Sequence, residues 1–221
     1  MKALAGYEEY VQAVSVYKDF LSKTGYSKTI AKAFLFALGK HDGQYYAWKK
    51  SKKLPYAYHL CKCALSTAAF SPEDKHIVIA LWHDMLEDGR TNKKVIANEL
   101  KDYCFNINEI IGALIILDKG NSISSKEYFK KILHDKDACL VKAADIISNL
   151  DECIERFDEI IKSEQRFWIY TYLIEIPRFF LNSKLLPEEY KKEISLKISQ
   201  LKLSLPNKNK IEFEKYSKGV I

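Results

Sequence analysis

The sequence predicts an all-α fold, a single helical bundle with additional helices toward its C-terminus. Apolar residues recur at helical spacing along almost the whole chain. Only 8 Gly and 5 Pro occur among 221 residues, too few for a turn-rich β protein. Recognisable start signals also open helices. The strongest is Ser71-Pro72-Glu73-Asp74, which offers a capping hydroxyl, Pro at the first helical position and acids in the first turn.

Taken in order, Tyr7, Val11, Val14, Tyr17, Phe20 and Leu21 form one apolar stripe, closed by Lys23-Thr24-Gly25. Ile30, Ala33, Phe34 and Leu38 form a second. The stretch from Gly39 to Leu54 lacks periodicity and carries Lys40, Lys49, Lys50, Lys52 and Lys53, which reads as a basic loop. Pro55 suits the first turn of a helix running to about Phe70. The helix opened at Ser71 is expected to run to Asp88 and to stop at Gly89. Further helices are expected near 93–102, 106–117, 124–134, 137–161, 165–184 and 187–204, with Gly120-Asn121-Ser122 as a break and Pro187 as an opener. Residues 1–205 read as one domain and 206–221 as a lysine-rich tail that frays.

Composition narrows the class. With 48% hydrophobic and 29% charged residues the chain is that of a soluble globular protein. No apolar run approaches the ~18 residues of a membrane span, and the start lacks a signal-peptide core. The five cysteines are odd in number, and Cys61-Lys62-Cys63 has neither a zinc nor a redox spacing, so they read as reduced thiols of a cytoplasmic protein. The net charge of +6 suits an anionic small molecule. It is spread over several helices without a nucleic-acid motif, so neither nucleic acid nor membrane is an expected partner.

His-Asp dipeptides occur three times, at His41-Asp42, His83-Asp84 and His134-Asp135. The first lies in the basic loop and the third at a helix end among lysines, where solvated roles are expected. Only His83-Asp84 interrupts an apolar helical run, and an unpaired imidazole and carboxylate placed there would cost several kcal/mol. His59, among Tyr58, Leu60 and Cys61, and Asp145, inside Cys139-Leu140-Val141-Lys142-Ala143-Ala144-Asp145-Ile146-Ile147, are the partners at hand. Two imidazoles and two carboxylates make a divalent-metal site, and mixed N and O donors suit manganese, iron or zinc better than calcium. Such an ion lowers the pKa of its water from 15.7 to about 7, the requirement of a hydrolase.

Helical spacing adds Glu87, four residues after His83, and Asp88, four after Asp84, as carboxylates placed to take a proton. Asn149, four after Asp145, and Lys142, three before it, would face the same cleft toward a polar group and a phosphate. Each residue alone has a plainer use: a core histidine is more often hydrogen-bonded than a ligand, and a lysine in an apolar run can snorkel outward. Jointly those plainer uses fail, because all must hold at matched helical offsets. Cys139 and Cys153 read as core thiols and His76 as a surface residue. The aromatic stretch Trp168, Tyr170, Tyr172, Phe179, Phe180 fits core, a wall of the cleft or a homo-oligomer contact, and core is the expectation.

The pattern resembles the HD-domain metal-dependent phosphohydrolases, and more narrowly the hydrolase domain of the RelA/SpoT family and the small alarmone hydrolases. The resemblance rests on His41-Asp42-Gly43-Gln44, Pro55-Tyr56-Ala57-Tyr58-His59, Ala80-Leu81-Trp82-His83-Asp84-Met85-Leu86-Glu87-Asp88, and Leu140-Val141-Lys142-Ala143-Ala144-Asp145-Ile146-Ile147-Ser148-Asn149-Leu150, within about residues 28–155. It implies a helical HD domain whose manganese is held by His59, His83, Asp84 and Asp145. It also implies that Glu87 and Asp88 handle water and its proton, and that Asn149 meets the ribose. The implied reaction is hydrolysis of (p)ppGpp at its 3′-diphosphate, giving GDP or GTP and pyrophosphate. Lys49 and Lys50, upstream of His59, would offset the charge of that nucleotide.

The chain departs from the family at Leu60, where Pro is usual, at Gly89, where Thr is usual, and at Tyr45 and Tyr46, where Arg is expected. Asp151 stands in place of an Arg and is expected to weaken polyanion binding unless Arg90 or Lys93 compensates. Two other readings therefore stand beside the first: an HD phosphohydrolase of another nucleotide (a nicotinamide dinucleotide 2′-phosphate, a nucleoside 5′-monophosphate or a signalling nucleotide), and a non-catalytic nucleotide-binding module.

Overall fold

The computed structural model describes residues 7–25, 27–46, 54–120, 124–162 and 166–217. The elements are α1 (Tyr7–Lys23), α2 (Lys28–Lys40), β1 (Tyr45–Tyr46), β2 (Leu54–Pro55), α3 (Ala57–Phe70), α4 (Asp74–Trp82), α5 (Lys93–Leu100), α6 (Ile107–Leu117), α7 (Ser125–Ile132), α8 (Lys136–Glu155), α9 (Phe157–Ile160), α10 (Arg166–Phe179), α11 (Glu188–Ser204) and α12 (Asn207–Ser217). The architecture is all-α, as expected. The strands form one short antiparallel pair, Tyr45 opposite Pro55 and Tyr46 opposite Leu54.

Helix α8 is the axis of the bundle. Leu140, Val141, Ala143, Ala144, Ile146, Ile147 and Leu150 leave almost no polar face, and α3, α4, α6 and α11 pack around it. Asp135 starts it by accepting from the Ala138 N–H at 2.8 Å, so the third His-Asp pair serves as a cap while His134 stays exposed. On α4, Ile77, Val78, Ile79, Ala80, Leu81 and Trp82 are all buried, and each large aliphatic side chain so buried contributes about 1.5–3 kcal/mol. The Trp82 indole donates to the Ala33 carbonyl at 2.9 Å and fixes α4 to α2.

Several expectations are corrected. Pro55 belongs to β2, where an edge position tolerates its missing N–H, and α3 begins at Ala57. Ser71 ends α3; Glu73 occupies the N-cap of α4. Helix α4 stops at Trp82, and 83–89 continue as turns closed at Gly89 (φ 63°), where Arg90 N–H bonds Met85 and Gly89 N–H bonds Leu86. The expected 137–161 helix breaks at Arg156, whose side chain grips the buried Glu152 at 2.6 Å. The segment after Pro206 forms α12 instead of fraying, because Phe213 and Tyr216 pack on Tyr170 and the buried Asn209 amide donates to the Tyr170 hydroxyl.

His76, expected at the surface, is buried. Its ring lies 2.7 Å from Ser71 Oγ and 2.8 Å from Asp137 Oδ1, and Lys75 meets the other Asp137 oxygen at 2.8 Å. This knot joins the α3–α4 corner to the first turn of α8, and so sets the height of α8 against α4. His76→Phe leaves Ser71 and Asp137 without that partner and is expected to lower stability by about 1–3 kcal/mol. Urea unfolding reads the effect, and an unchanged midpoint contradicts it.

Candidate metal centre

Three helices bring the candidate ligands together. His59 comes from the first turn of α3, His83 from the residue after α4, and Asp145 from mid-α8. The His59 and His83 ring centroids lie 5.3 Å apart. One ligand atom from each of His59, His83 and Asp145 falls within 4.8 Å of the other two, and all three residues are buried. Asp84 adjoins this set: its Oδ2 is 2.9 Å from His83 Nε2 and 3.6 Å from His59 Nε2. Asp145 Oδ1 lies 3.3 Å from His59 Nε2 and 3.7 Å from His83 Nε2.

The orientation of His83 follows from its place in the chain. Past the end of α4, its Nδ1 lies 2.7 Å from the Ala80 carbonyl, which can only accept, so Nδ1 carries the hydrogen. The opposite nitrogen, Nε2, is buried and makes no well-aligned hydrogen bond among the described residues, although Asp84 Oδ2 lies 2.9 Å from it. A buried lone pair facing two carboxylates and a second imidazole fits a divalent cation. Burial disfavours a charge on His59, yet the Asp145 and Asp84 carboxylates outweigh it and raise its pKa to about 9. In return the imidazoles hold Asp84 well below the ordinary carboxylate range against the cost of burial.

Further residues hold these groups. Lys142 Nζ donates to Asp145 Oδ2 at 2.7 Å, and Asn149 Nδ2 donates to Asp145 Oδ1 at 2.7 Å. Burial works against the Lys142 charge and Asp145 outweighs it, so the ammonium persists well above the usual lysine pKa. Tyr56 donates to Asp84 Oδ2 at 2.5 Å and stacks on His41, centroids 4.9 Å apart. His41 meets Gln44 Oε1 at 2.7 Å, and Gln44 Nε2 donates to Asp88 Oδ2 at 2.6 Å. A relay of side chains thus runs from Asp84 to Asp88 through the loop after α2. The solvated role expected for His41 is corrected: the ring is buried, and only Asp42 faces solvent.

Glu87 is not on a continuous helix with His83; the residue as a whole is exposed, and partial desolvation of its carboxyl, with the Asp84 charge, raises its pKa. With Lys142 it lines a cavity of about 200 Å³ between α7, α8 and α10, together with Lys119, Ser125, Tyr128 and Tyr172. Asp151 points elsewhere. It pairs with Lys197 of α11 and lines a separate depression with Lys23, Lys62 and Glu193, so it places no anion beside the cluster. Lys49 and Lys50 lie outside the described residues. Tyr56 and Lys119 are not singled out as site residues from sequence, and Tyr172, whose aromatic stretch is expected in the core, lines the cavity wall instead. Tyr56 three residues before His59 carried a usable signal, whereas Lys119 and Tyr172 reach the site only through the packing of α7 and α10.

No known family model matches the chain. A curated guanosine-3′,5′-bis(diphosphate) 3′-pyrophosphohydrolase of Borreliella burgdorferi is 29% identical to it over 143 residues, which is 62% of this chain and 20% of that protein. This chain is thus similar to a (p)ppGpp pyrophosphohydrolase over a stretch amounting to about a fifth of that relative's length.

Proposed function

We propose that this chain is a metal-dependent phosphohydrolase of the HD-domain, RelA/SpoT hydrolase type, and that its substrate is (p)ppGpp, cut at the 3′-diphosphate to release pyrophosphate and GDP or GTP. The observation that carries this reading is the buried His83 Nε2, which makes no well-aligned hydrogen bond among the described residues and faces Asp84, Asp145 and His59. Similarity to a protein that bears this activity in its name supports the choice of nucleotide.

In this reading His59, His83, Asp84 and Asp145 hold a divalent ion, manganese by preference. When bound, the ion supplies Lewis acidity that lowers the pKa of a water and polarises a phosphoryl oxygen. The remaining work belongs to the chain. Lys142 and Asn149 keep Asp145 turned toward the imidazoles, and Tyr56 does the same for Asp84. Glu87, whose carboxyl binds its proton more readily than an ordinary one, takes and returns a proton at its Oε atoms. Asp88, tied to Gln44, serves beside it. Asn149 also meets the ribose, and Lys49 and Lys50 offset substrate charge.

With Mn²⁺ supplied, a panel of (p)ppGpp, NADPH, nucleoside monophosphates and cyclic nucleotides is expected to yield GDP or GTP with pyrophosphate from the first alone. Asp84→Ala should abolish that turnover. Orthophosphate from another member of the panel would overturn the choice of substrate, and full activity of the variant after metal stripping would overturn the metal assignment. Glu87→Gln should bind Mn²⁺ as the unmodified chain does yet turn over ~10²–10⁴ times more slowly; an unchanged rate removes Glu87 from the chemistry.

A further inference from the structure

The cavity between α7, α8 and α10 carries hydrogen-bond donors that the proposed chemistry does not use. Lys119, at the start of the α6–α7 connection, places its Nζ 3.4 Å from Ser125 Oγ and 5.9 Å from the Tyr128 ring centroid. Lys142 Nζ lies 5.5 Å from the same centroid. Two ammoniums converge on one ring, and Lys119 pairs with no carboxylate among the described residues. Asp145 already matches Lys142, so Lys119 is the ammonium left for an incoming anion, and the apolar walls of Phe129, Ile146 and Ile176 strengthen that interaction.

We propose that this cavity is a diphosphate subsite, in which Lys119, Ser125 and the Tyr172 hydroxyl bind a diphosphate group of the substrate beside the metal cluster. This rests on the function proposed above and deepens it. At about 200 Å³ the space is below the size of pockets that enclose a whole drug-sized ligand, so it takes one group of a nucleotide and leaves the rest outside. A nucleobase is a poorer fit. The Tyr128 ring is already faced by two cations, and its hydroxyl is spent on the Leu117 carbonyl at 2.7 Å. The subsite is coupled to the chemistry at both ends. The Lys119 main-chain N–H reaches Glu87 Oε2 at 3.5 Å, and Lys142 holds Asp145. Glu175, on the α10 wall of the same cavity, is anionic and sets a limit on how tightly the diphosphate is held.

The test titrates inorganic pyrophosphate into the full chain with Mn²⁺ in excess, by calorimetry, while Mn²⁺ affinity is measured separately. Lys119→Gln should weaken pyrophosphate binding at least tenfold, Lys119→Arg should restore most of it, and Glu175→Gln should tighten it, all with Mn²⁺ affinity unchanged. Pyrophosphate that fails to bind, or binds Lys119→Gln as it binds the unmodified chain, overturns the subsite. Guanosine 3′-diphosphates with and without a 5′-diphosphate then locate the group. A KM raised by Lys119→Gln only for the former assigns the subsite to the uncut 5′ end, and a KM raised for both assigns it to the departing 3′ end. Charge-dependent pyrophosphate binding in a chain that hydrolyses no guanosine diphosphate leaves the subsite standing and sinks the proposed activity. Hydrolysis with KM and pyrophosphate binding both indifferent to Lys119 does the reverse.

Discussion

The carboxylate of Asp145 is the constraint around which the bundle is arranged. It sits in the buried middle of α8, where an uncompensated charge costs several kcal/mol even after relaxation. Lys142 and Asn149, one turn to either side on α8, each take one of its oxygens, and the two imidazoles of α3 and the α4 terminus close the remaining approach. Because α8 touches α3, α4, α6 and α11, moving Asp145 would disturb every neighbour at once. The site therefore inherits the rigidity of the core.

The end of α4 supplies the second ingredient. Had the helix continued to Gly89, His83 would share the regular ladder with its neighbours. Instead the chain loosens after Trp82, whose indole is anchored to α2, and the released segment turns His83 Nδ1 onto Ala80 and Asp84 toward Tyr56. The Gly89 turn then returns the chain to α5, with Glu87 left facing the cavity. A strained-looking sequence, polar residues inside an apolar run, is thus resolved by ending the helix one residue before the polar pair.

Much of this was legible in the residues. Periodicity placed α2, α3, α5, α6, α7, α10 and α11 to within a few positions, since each carries a clear apolar stripe. The convergence of His59, His83 and Asp145 followed from polar groups inside apolar runs, which must find one another. What escaped depended on tertiary contacts. His76 reads as surface beside Asp74 and Lys75, yet Asp137, sixty-one positions on, draws it inside. His41 reads as loop, yet Tyr56 stacks over it. The tail reads as frayed because its lysines dominate the composition, while Asn209, Phe213 and Tyr216 decide its packing against Tyr170. Asp151 reads as an intruder in the cleft, and only the position of Lys197 on α11 shows it turned away.

The central claim is that the His59 and His83 imidazoles share one cation with the Asp84 and Asp145 carboxylates. Pulsed electron paramagnetic resonance of Mn²⁺ bound to chain labelled with ¹⁵N-histidine tests it most directly. The account predicts one ion per chain whose spectrum carries hyperfine coupling to two imidazole nitrogens. Manganese that binds with no nitrogen coupling, or does not bind at all, would contradict it.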